Sequence, residues 1–164
     1  MEAGDLLFGR RIRQNHALEH ATVTLLTQRI PNLRVSARSS SKGFVIYADL
    51  DLAAVRWATT DALQRLRAGE RELAIHPNCG TNLAVGTSVA MIGSLFALTA
   101  VRPRTRIASA LVSTAAGFVV ARPLGQIAQR HITTLPDLGD VAITSVARRM
   151  RLGFPIVEVR TSAV

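Results

Sequence analysis

Cysteine and aromatic residues are scarce in this chain. Its 164 residues include one cysteine, Cys79, and only 4% of them are Phe, Trp or Tyr. A single cysteine excludes an internal disulfide, so the chain is compatible with a reducing cellular compartment. The shortage of aromatic rings argues against nucleic-acid binding, because proteins that bind single strands stack the bases on such rings. We therefore predict that the chain has no nucleic-acid partner.

The N-terminal segment lacks the apolar core of a signal peptide. Residues 1–13 include Glu2 and Asp5 and contain no apolar run of the necessary length, so we expect no cleaved targeting segment. Acidic residues are also few, since 20 Lys and Arg against 11 Asp and Glu give a formal net charge of +9. The apolar residues are concentrated in one region, so the expected counter-charge is that of anionic lipid headgroups.

Two segments in that region lack charged residues altogether. The segment 81–101 has 21 residues, enough at about 1.5 Å each to cross a hydrocarbon core of about 30 Å. The segment 107–121 has 15 residues, and it can cross the hydrocarbon core only if it tilts, if Arg122 is kept from the lipid, or if the helix continues past Arg122. Small residues recur at every fourth position, as in helices that pack closely in lipid. We predict a transmembrane hairpin over residues 83–130; the alternative is a pair of buried soluble helices.

The remaining segments indicate an α+β fold. Apolar periodicity predicts helices over residues 5–28 and 52–66, strands over 33–38, 44–48, 141–146 and 154–159, and a short strand at 73–75. A basic turn is expected at 148–153, and a helix over 141–150 is the alternative to the third strand.

The expected architecture is a small mixed or antiparallel sheet with two helices, interrupted by the two-helix transmembrane hairpin. Residues 1–75 form an N-terminal part in the order helix, strand, strand, helix, and residues 76–82 form a loop. The hairpin occupies residues 83–130, and residues 131–164 form a C-terminal β-hairpin that completes the soluble part.

The first helix carries polar residues on its apolar stripe. His16 and His20 lie one turn apart on one face, and Glu19 lies beside them. Two imidazoles and a carboxylate at this spacing can supply two nitrogen ligands to a zinc-like ion and a base for a metal-bound water. The alternative is that the histidines are hydrogen-bonded core residues clamped by Glu19.

The loop at residues 76–82, with the sequence HPNCGTN, offers further donors. His76 and Cys79 lie three residues apart, and imidazole and thiolate both suit zinc. We predict His16, His20, His76 and Cys79 as metal ligands, with Zn²⁺ as the expected ion and Glu19 as the catalytic residue. The alternative is that Cys79 is an inert thiol in a turn.

The pattern from His16 to His20, His-x-x-Glu-His, resembles the inverzincin signature of zinc proteases. The resemblance implies that both histidines ligate zinc and that Glu19 is the base. That family takes a third, carboxylate ligand from far downstream, for which Glu70 and Glu72 are the candidates here.

Residues 15–20, the HPNCGTN loop and the two apolar segments together resemble a family of small bacterial membrane proteins, classed as a domain of unknown function. This resemblance implies a multi-pass membrane location and leaves the chemistry open.

Three functions remain as hypotheses. The first is a membrane-bound, peptidase-like zinc hydrolase that acts on a peptide or a lipid-linked substrate. The second is a non-catalytic metal- or thiol-dependent module whose four ligands leave no position for water. The third is a membrane-anchored interaction domain. We expect a multi-pass protein of the cytoplasmic (inner) membrane with its soluble part in the cytoplasm, although the arginines at residues 102–106 favour the opposite orientation. A homo-oligomer is left open.

Overall fold

A computed structural model describes residues 3–100 and 102–163. The helices and strands, in chain order, are α1 (Ala3–Phe8), α2 (Arg10–Arg29), β1 (Ser36–Ser40), β2 (Gly43–Tyr47), α3 (Leu52–Arg67), α4 (Gly80–Ala100), α5 (Arg106–Ala128), β3 (Val141–Arg151) and β4 (Phe154–Ala163). Short 3₁₀ turns occur at Arg71–Ala74 and Pro103–Thr105, and a π-helical turn occurs at Gln129–Thr133. The described residues form two compact units, which we call the α+β unit (up to His76 and from Arg130) and the helical unit (Pro77–Gln129).

The α+β unit contains a four-stranded antiparallel sheet in the order β1-β2-β4-β3. The C-terminal strand β4 therefore lies between the two hairpins and pairs with β2, with Ile46 opposite Val157. Gly43 permits this pairing, because a Cβ at its φ of +132° would meet the carbonyl oxygen of Val159 at 2.0 Å. The α+β class and the hairpin-like pair of apolar helices are confirmed, and the sheet takes the antiparallel form.

One face of the sheet packs on α2 and α3. Alternate residues Phe44 and Ile46 of β2 are buried in the core together with Leu18 of α2 and Val55 of α3. Burial of alternate residues is what a sheet with one covered face requires. The Asp51 side chain caps α3 by accepting the Ala54 N–H at 3.1 Å.

Four local expectations were wrong. The first helix is interrupted at Gly9, whose φ of 76° is not helical. Residues 73–75 do not form a strand, because the chain turns in a 3₁₀ helix at Arg71–Ala74. The turn expected at 148–153 is confined to Leu152 and Gly153, since β3 runs to Arg151. Because β3 occupies these residues, the alternative helix over 141–150 is excluded. The fourth difference is that β1 runs on to Ser40, beyond its expected end.

The helical unit consists of α4 and α5 in close contact. A Cβ added to Gly117 would lie 2.7 Å from the Cα of Ala90, so the two backbones approach closely at this point. Further along, the Oγ of Ser94 lies 2.9 Å from the Oγ1 of Thr114. At the other end, Gln129 is buried and its Nε2 donates to the Oδ1 of Asn82 at 2.7 Å.

Both helices turn large apolar side chains outward. Leu95 is 62% exposed and Val119 is 77% exposed. The spans Gly80–Thr99 and Pro103–Thr133 are long and apolar enough to cross a membrane, and each has a mean hydropathy of 1.5 in its most apolar window. Only 22% and 11% of these windows are buried, whereas a core helix of a soluble protein is mostly buried.

Candidate metal centre

Three histidines come together in the α+β unit. The helical repeat of α2 places His16 and His20 one turn apart, and their ring centroids are 4.2 Å apart in an edge-to-face arrangement. The ring of His76, which follows the 3₁₀ turn at Arg71–Ala74, has its centroid 5.8 Å from that of His20. The histidine predictions from two distant segments of the sequence therefore meet in one cluster.

The paired histidines of α2 each bond to a backbone carbonyl through Nδ1. His16 Nδ1 lies 2.9 Å from the carbonyl oxygen of Thr133, and His20 Nδ1 lies 2.7 Å from that of Ala74. A carbonyl oxygen only accepts, so in the neutral imidazole Nδ1 carries the proton and Nε2 keeps a lone pair. Metal-binding histidines use this arrangement, in which an outer hydrogen bond fixes the tautomer and the orientation of the ring.

Burial keeps these imidazoles neutral. It lowers the pKa of His16, against the opposing effect of the bond to Thr133. Burial, with smaller contributions from the neighbouring rings, lowers the pKa of His20 to about 3. Desolvation also lowers the pKa of His76. The unprotonated imidazole is the form that ligates metal ions, so the cluster is ready to bind a cation without first losing protons at neutral pH.

Glu19 makes a different contact from its two histidine neighbours. Its carboxylate accepts a hydrogen bond from the Oγ of Ser39 on β1, so its carboxyl group is directed to the sheet. Burial raises its pKa to about 7, although the bond to Ser39 acts in the opposite direction. The histidines are thus held by backbone carbonyls rather than by Glu19, and the catalytic role of Glu19 stays a prediction.

The two downstream carboxylates lie in surface ion pairs. The carboxylate of Glu70 is 2.5 Å from the Nη2 of Arg65, and that of Glu72 is 2.8 Å from the Nη2 of Arg130. The structure therefore gives each of these candidate third ligands an arginine partner in the α+β unit.

A buried arginine that we did not single out from the sequence supports the cluster. Arg13 is 1% exposed, its Nη1 donates to the Oδ1 of Asp5 at 2.6 Å, and its Nη2 donates to the carbonyl oxygens of His131 and Thr134. These bonds fix the segment that presents the Thr133 carbonyl to His16. The signal was present in the sequence, because Arg13 lies three residues before His16 and hence on the same helical face.

Comparison with known proteins places this chain in a family. Residues 11–146 match the family described as "Domain of unknown function (DUF6391)". The chain belongs to this family. It is also 38% identical over 141 residues to the uncharacterized protein SYNPCC7002_A1392 of Picosynechococcus sp. (strain PCC 7002), an alignment that covers 79% of this chain and 67% of the relative. No solved structure matches the chain.

The predicted resemblance to an uncharacterised family is therefore confirmed. The DUF6391 region, residues 11–146, contains all four predicted ligands. Cys79 belongs to the helical unit, where its thiol is half-buried and its Sγ accepts the Thr81 N–H at 3.4 Å. It lies three positions after His76 in the sequence, and its part in a metal site stays a prediction.

Proposed function

We propose that this protein is an integral membrane protein whose α+β unit binds a divalent metal ion, with Zn²⁺ as the expected ion. His16 and His20 would provide their Nε2 atoms as ligands. The observation that carries the proposal is the pair of hydrogen bonds from Nδ1 to the carbonyls of Thr133 and Ala74. In a neutral imidazole that carries its proton on Nδ1, the lone pair that can ligate a metal is on Nε2. The two rings are 4.2 Å apart, and two imidazoles are a common part of zinc sites.

The third donor comes from His76 or Cys79 in this proposal. His76 already lies beside His20, with 5.8 Å between the ring centroids. Cys79 follows three residues later, within about 10 Å of extended chain, and a thiolate is a preferred zinc ligand. With one of the two bound, a position stays open for water; with both bound, the site is closed and structural. X-ray absorption on the metal-loaded protein separates these cases by the number of nitrogen, sulfur and oxygen ligands.

The membrane part of the proposal is supported by the exposed apolar surface of α4 and α5. Soluble monomers rarely expose a contiguous apolar patch of more than a few hundred Å², and these helices carry large exposed side chains along both lengths: Leu83, Met91, Ile92, Leu95, Phe96, Ile107, Leu111, Val112, Phe118 and Val119. The close approach of Gly117 to Ala90 is typical of helix pairs in lipid. We propose that both helices cross the cytoplasmic membrane and that the α+β unit faces the cytoplasm.

Elemental analysis of the full chain, purified in detergent without chelator, tests metal binding. We expect about one ion per chain in the wild type and less than about a tenth of that in His16→Ala or His20→Ala, because each removes one ligand. His131→Ala is the matched control, since the His131 side chain is exposed. A wild-type protein without a stoichiometric ion would contradict the proposal and favour a membrane-anchored interaction domain.

Labelling tests the orientation. In a Cys79→Ser background, a cysteine introduced at Arg104, between the two helices, should react in intact cells with a reagent that does not cross membranes. A cysteine introduced at Lys42 in the α+β unit should react only after the cells are opened. The reverse pattern would place the α+β unit outside the cytoplasm.

A zinc hydrolase of the peptidase type is the second candidate, and the raised pKa of Glu19 favours it. A carboxyl group whose pKa is about 7 can exchange a proton near neutral pH, as a general base must. Glu19→Gln should keep the bound metal and abolish cleavage of a quenched fluorescent peptide library. Retained cleavage, or loss of the metal, would contradict the role of Glu19 as a base.

A further inference from the structure

A cleft of about 510 Å³ lies in the α+β unit beside the histidine cluster. Its walls are formed by residues from two chain segments, 71–75 and 130–136, and Arg13 of α2 also lines it. Its volume is within the usual range for small-molecule sites. Ala74, whose carbonyl oxygen bonds to His20, belongs to its lining.

The lining of this cleft is positively charged. It contains the three arginines Arg13, Arg71 and Arg130 against one acidic residue, Glu72, which gives a formal charge of +2 (three minus one, with histidine neutral). Arg13 is buried and bonds to Asp5, whereas Arg71 and Arg130 are exposed. Arg130 is 2.8 Å from Glu72, in an ion pair whose side chains are 51% and 77% exposed. Such an exposed pair is weak, so an incoming anion can compete for Arg130.

Both walls of the cleft are the segments through which the chain enters and leaves the apolar helices. Ile75 precedes the first residue of α4, Gly80, by five positions, and Arg130 follows the last residue of α5, Ala128, by two. An extended chain covers at most about 3.5 Å per residue, so short tethers keep these walls near the ends of the two helices. In a bilayer the ends of membrane-spanning helices lie at the level of the headgroups, where the lipid phosphates are.

We propose that this cleft binds the phosphate group of an anionic phospholipid. The guanidinium groups of Arg71 and Arg130 would each offer two parallel N–H donors, a geometry that matches phosphate oxygens. The inference rests on the membrane part of the proposed function and is independent of the metal. It also narrows the substrate class, because a lipid-linked substrate held here by its phosphate would lie beside the segment that orients His20.

Calorimetric titration of the full chain in a non-ionic detergent tests the proposal, with short-chain phosphatidylglycerol as the probe. Arg71→Gln and Arg130→Gln should each weaken its binding by about tenfold, since each removes a charge-assisted pair of hydrogen bonds. Glu72→Gln should tighten it, because the substitution releases Arg130. Arg34→Gln is the matched control, an exposed arginine outside the cleft, and should bind like the wild type.

Titrations with other ligands show whether the cleft recognises a lipid or free phosphate, and the variants show whether the cleft is the binding site. Short-chain phosphatidylcholine should bind more weakly than phosphatidylglycerol, because its choline group meets a positively charged cleft. Inorganic phosphate that bound as tightly as phosphatidylglycerol would overturn the lipid assignment. An equal loss in Arg34→Gln, or no effect of Arg71→Gln and Arg130→Gln, would overturn the cleft itself.

Chelator treatment separates this inference from metal binding. The affinity for phosphatidylglycerol should be unchanged in protein stripped of metal, because none of the cleft arginines is a metal ligand. Thermal unfolding of each variant serves as the check on folding, and we expect wild-type midpoints because Arg71 and Arg130 are exposed. Binding of the short-chain lipid by a protein that proved soluble without detergent would contradict membrane insertion and leave the phosphate site standing.

Discussion

Replacing Gly117 by alanine should weaken the pairing of α4 and α5. The added Cβ would lie 2.7 Å from the Cα, the N and the Cβ of Ala90. Non-bonded carbon atoms pack at about 3.5–4.0 Å, so the helices would have to separate locally by about 1 Å. The two Ala90 backbone atoms belong to the facing helix and cannot turn aside as a flexible side chain would.

The expected cost follows from two opposing effects. Overpacking of a tight contact costs about 1–3 kcal/mol, whereas alanine is favoured over glycine in a helix by about 1 kcal/mol. In the membrane location that we propose, the lipid tails are as apolar as the helix surfaces, so close packing is a main source of the pairing energy and its loss is not offset. The two effects leave a net cost of about 0–2 kcal/mol. We expect Gly117→Ala to fall in the upper half of that range, at about 1–2 kcal/mol, because the contacted backbone atoms cannot move aside.

Gly93→Ala is the matched control within the same helix pair. Its Cβ would lie 3.1 Å from the Cβ of Ser113, so this contact is too short by a few tenths of an ångström, whereas the contact at Gly117 is too short by about 1 Å. The gain in helix propensity should roughly cancel this small strain. The stability of the pair should therefore decrease clearly for Gly117→Ala and hardly at all for Gly93→Ala.

Disulfide trapping in a bilayer measures the pairing. The hydroxyl oxygens of Ser94 and Thr114 are 2.9 Å apart, so cysteines at these two positions, in a Cys79→Ser background, should cross-link under mild oxidation. Gly117→Ala should slow this cross-linking several-fold relative to Gly93→Ala. Equal rates in the two variants would refute the inference that backbone contact at Gly117 limits the approach of the helices.

Three further substitutions test the α+β unit by urea unfolding. In metal-free protein, Glu19→Gln should raise the free energy of unfolding by about 3 kcal/mol at pH 8 and leave it unchanged at pH 4. The reason is that a carboxyl group whose pKa is raised from 4.5 to about 7 destabilises the folded protein increasingly between those two pH values and fully above them. An effect that did not depend on pH would contradict this. Leu152→Asn should raise the free energy of unfolding by about 0.5 kcal/mol, since Leu152 has a φ of 50° and asparagine adopts this conformation more readily than leucine. As the control, Leu152→Ala should raise it by less. Asp5→Ala should cost about 3 kcal/mol, because it removes the carboxylate 2.6 Å from the buried Arg13 guanidinium; a loss below about 1 kcal/mol would count against that pair.

The parts of the fold that follow local rules could be predicted from the sequence. Asp51 caps α3, and Gly69, with a φ of 98°, follows its end, as these residue types usually do. The aromatic and β-branched residues after Gly43 form β2, and the charge-free segments form α4 and α5. In each case the decisive interaction lies within a few residues of the chain.

The order of the sheet and the orientation of the site could not be predicted in this way. β2 pairs with β4, more than a hundred residues downstream, and no local pattern encodes that choice. The helical repeat also explains the position of Glu19. At about 100° per residue, His20 lies about 40° from His16 in one direction around the helix axis, and Glu19 lies about 60° from His16 in the other direction. The glutamate and the histidines therefore face different surroundings. The carboxyl group bonds to Ser39 and the imidazoles bond to distant carbonyls.

The two carbonyls that orient the histidines occupy a particular place in the chain. Ala74 precedes α4 by six residues, and Thr133 follows α5 by five, so the acceptors of His20 and His16 lie in the two segments that join the α+β unit to the apolar helices. A cation on the Nε2 atoms would fix both rings, and through their Nδ1 bonds it would hold both segments. In the proposed protein, metal binding and the anchoring of the apolar helices are therefore coupled through covalent chain.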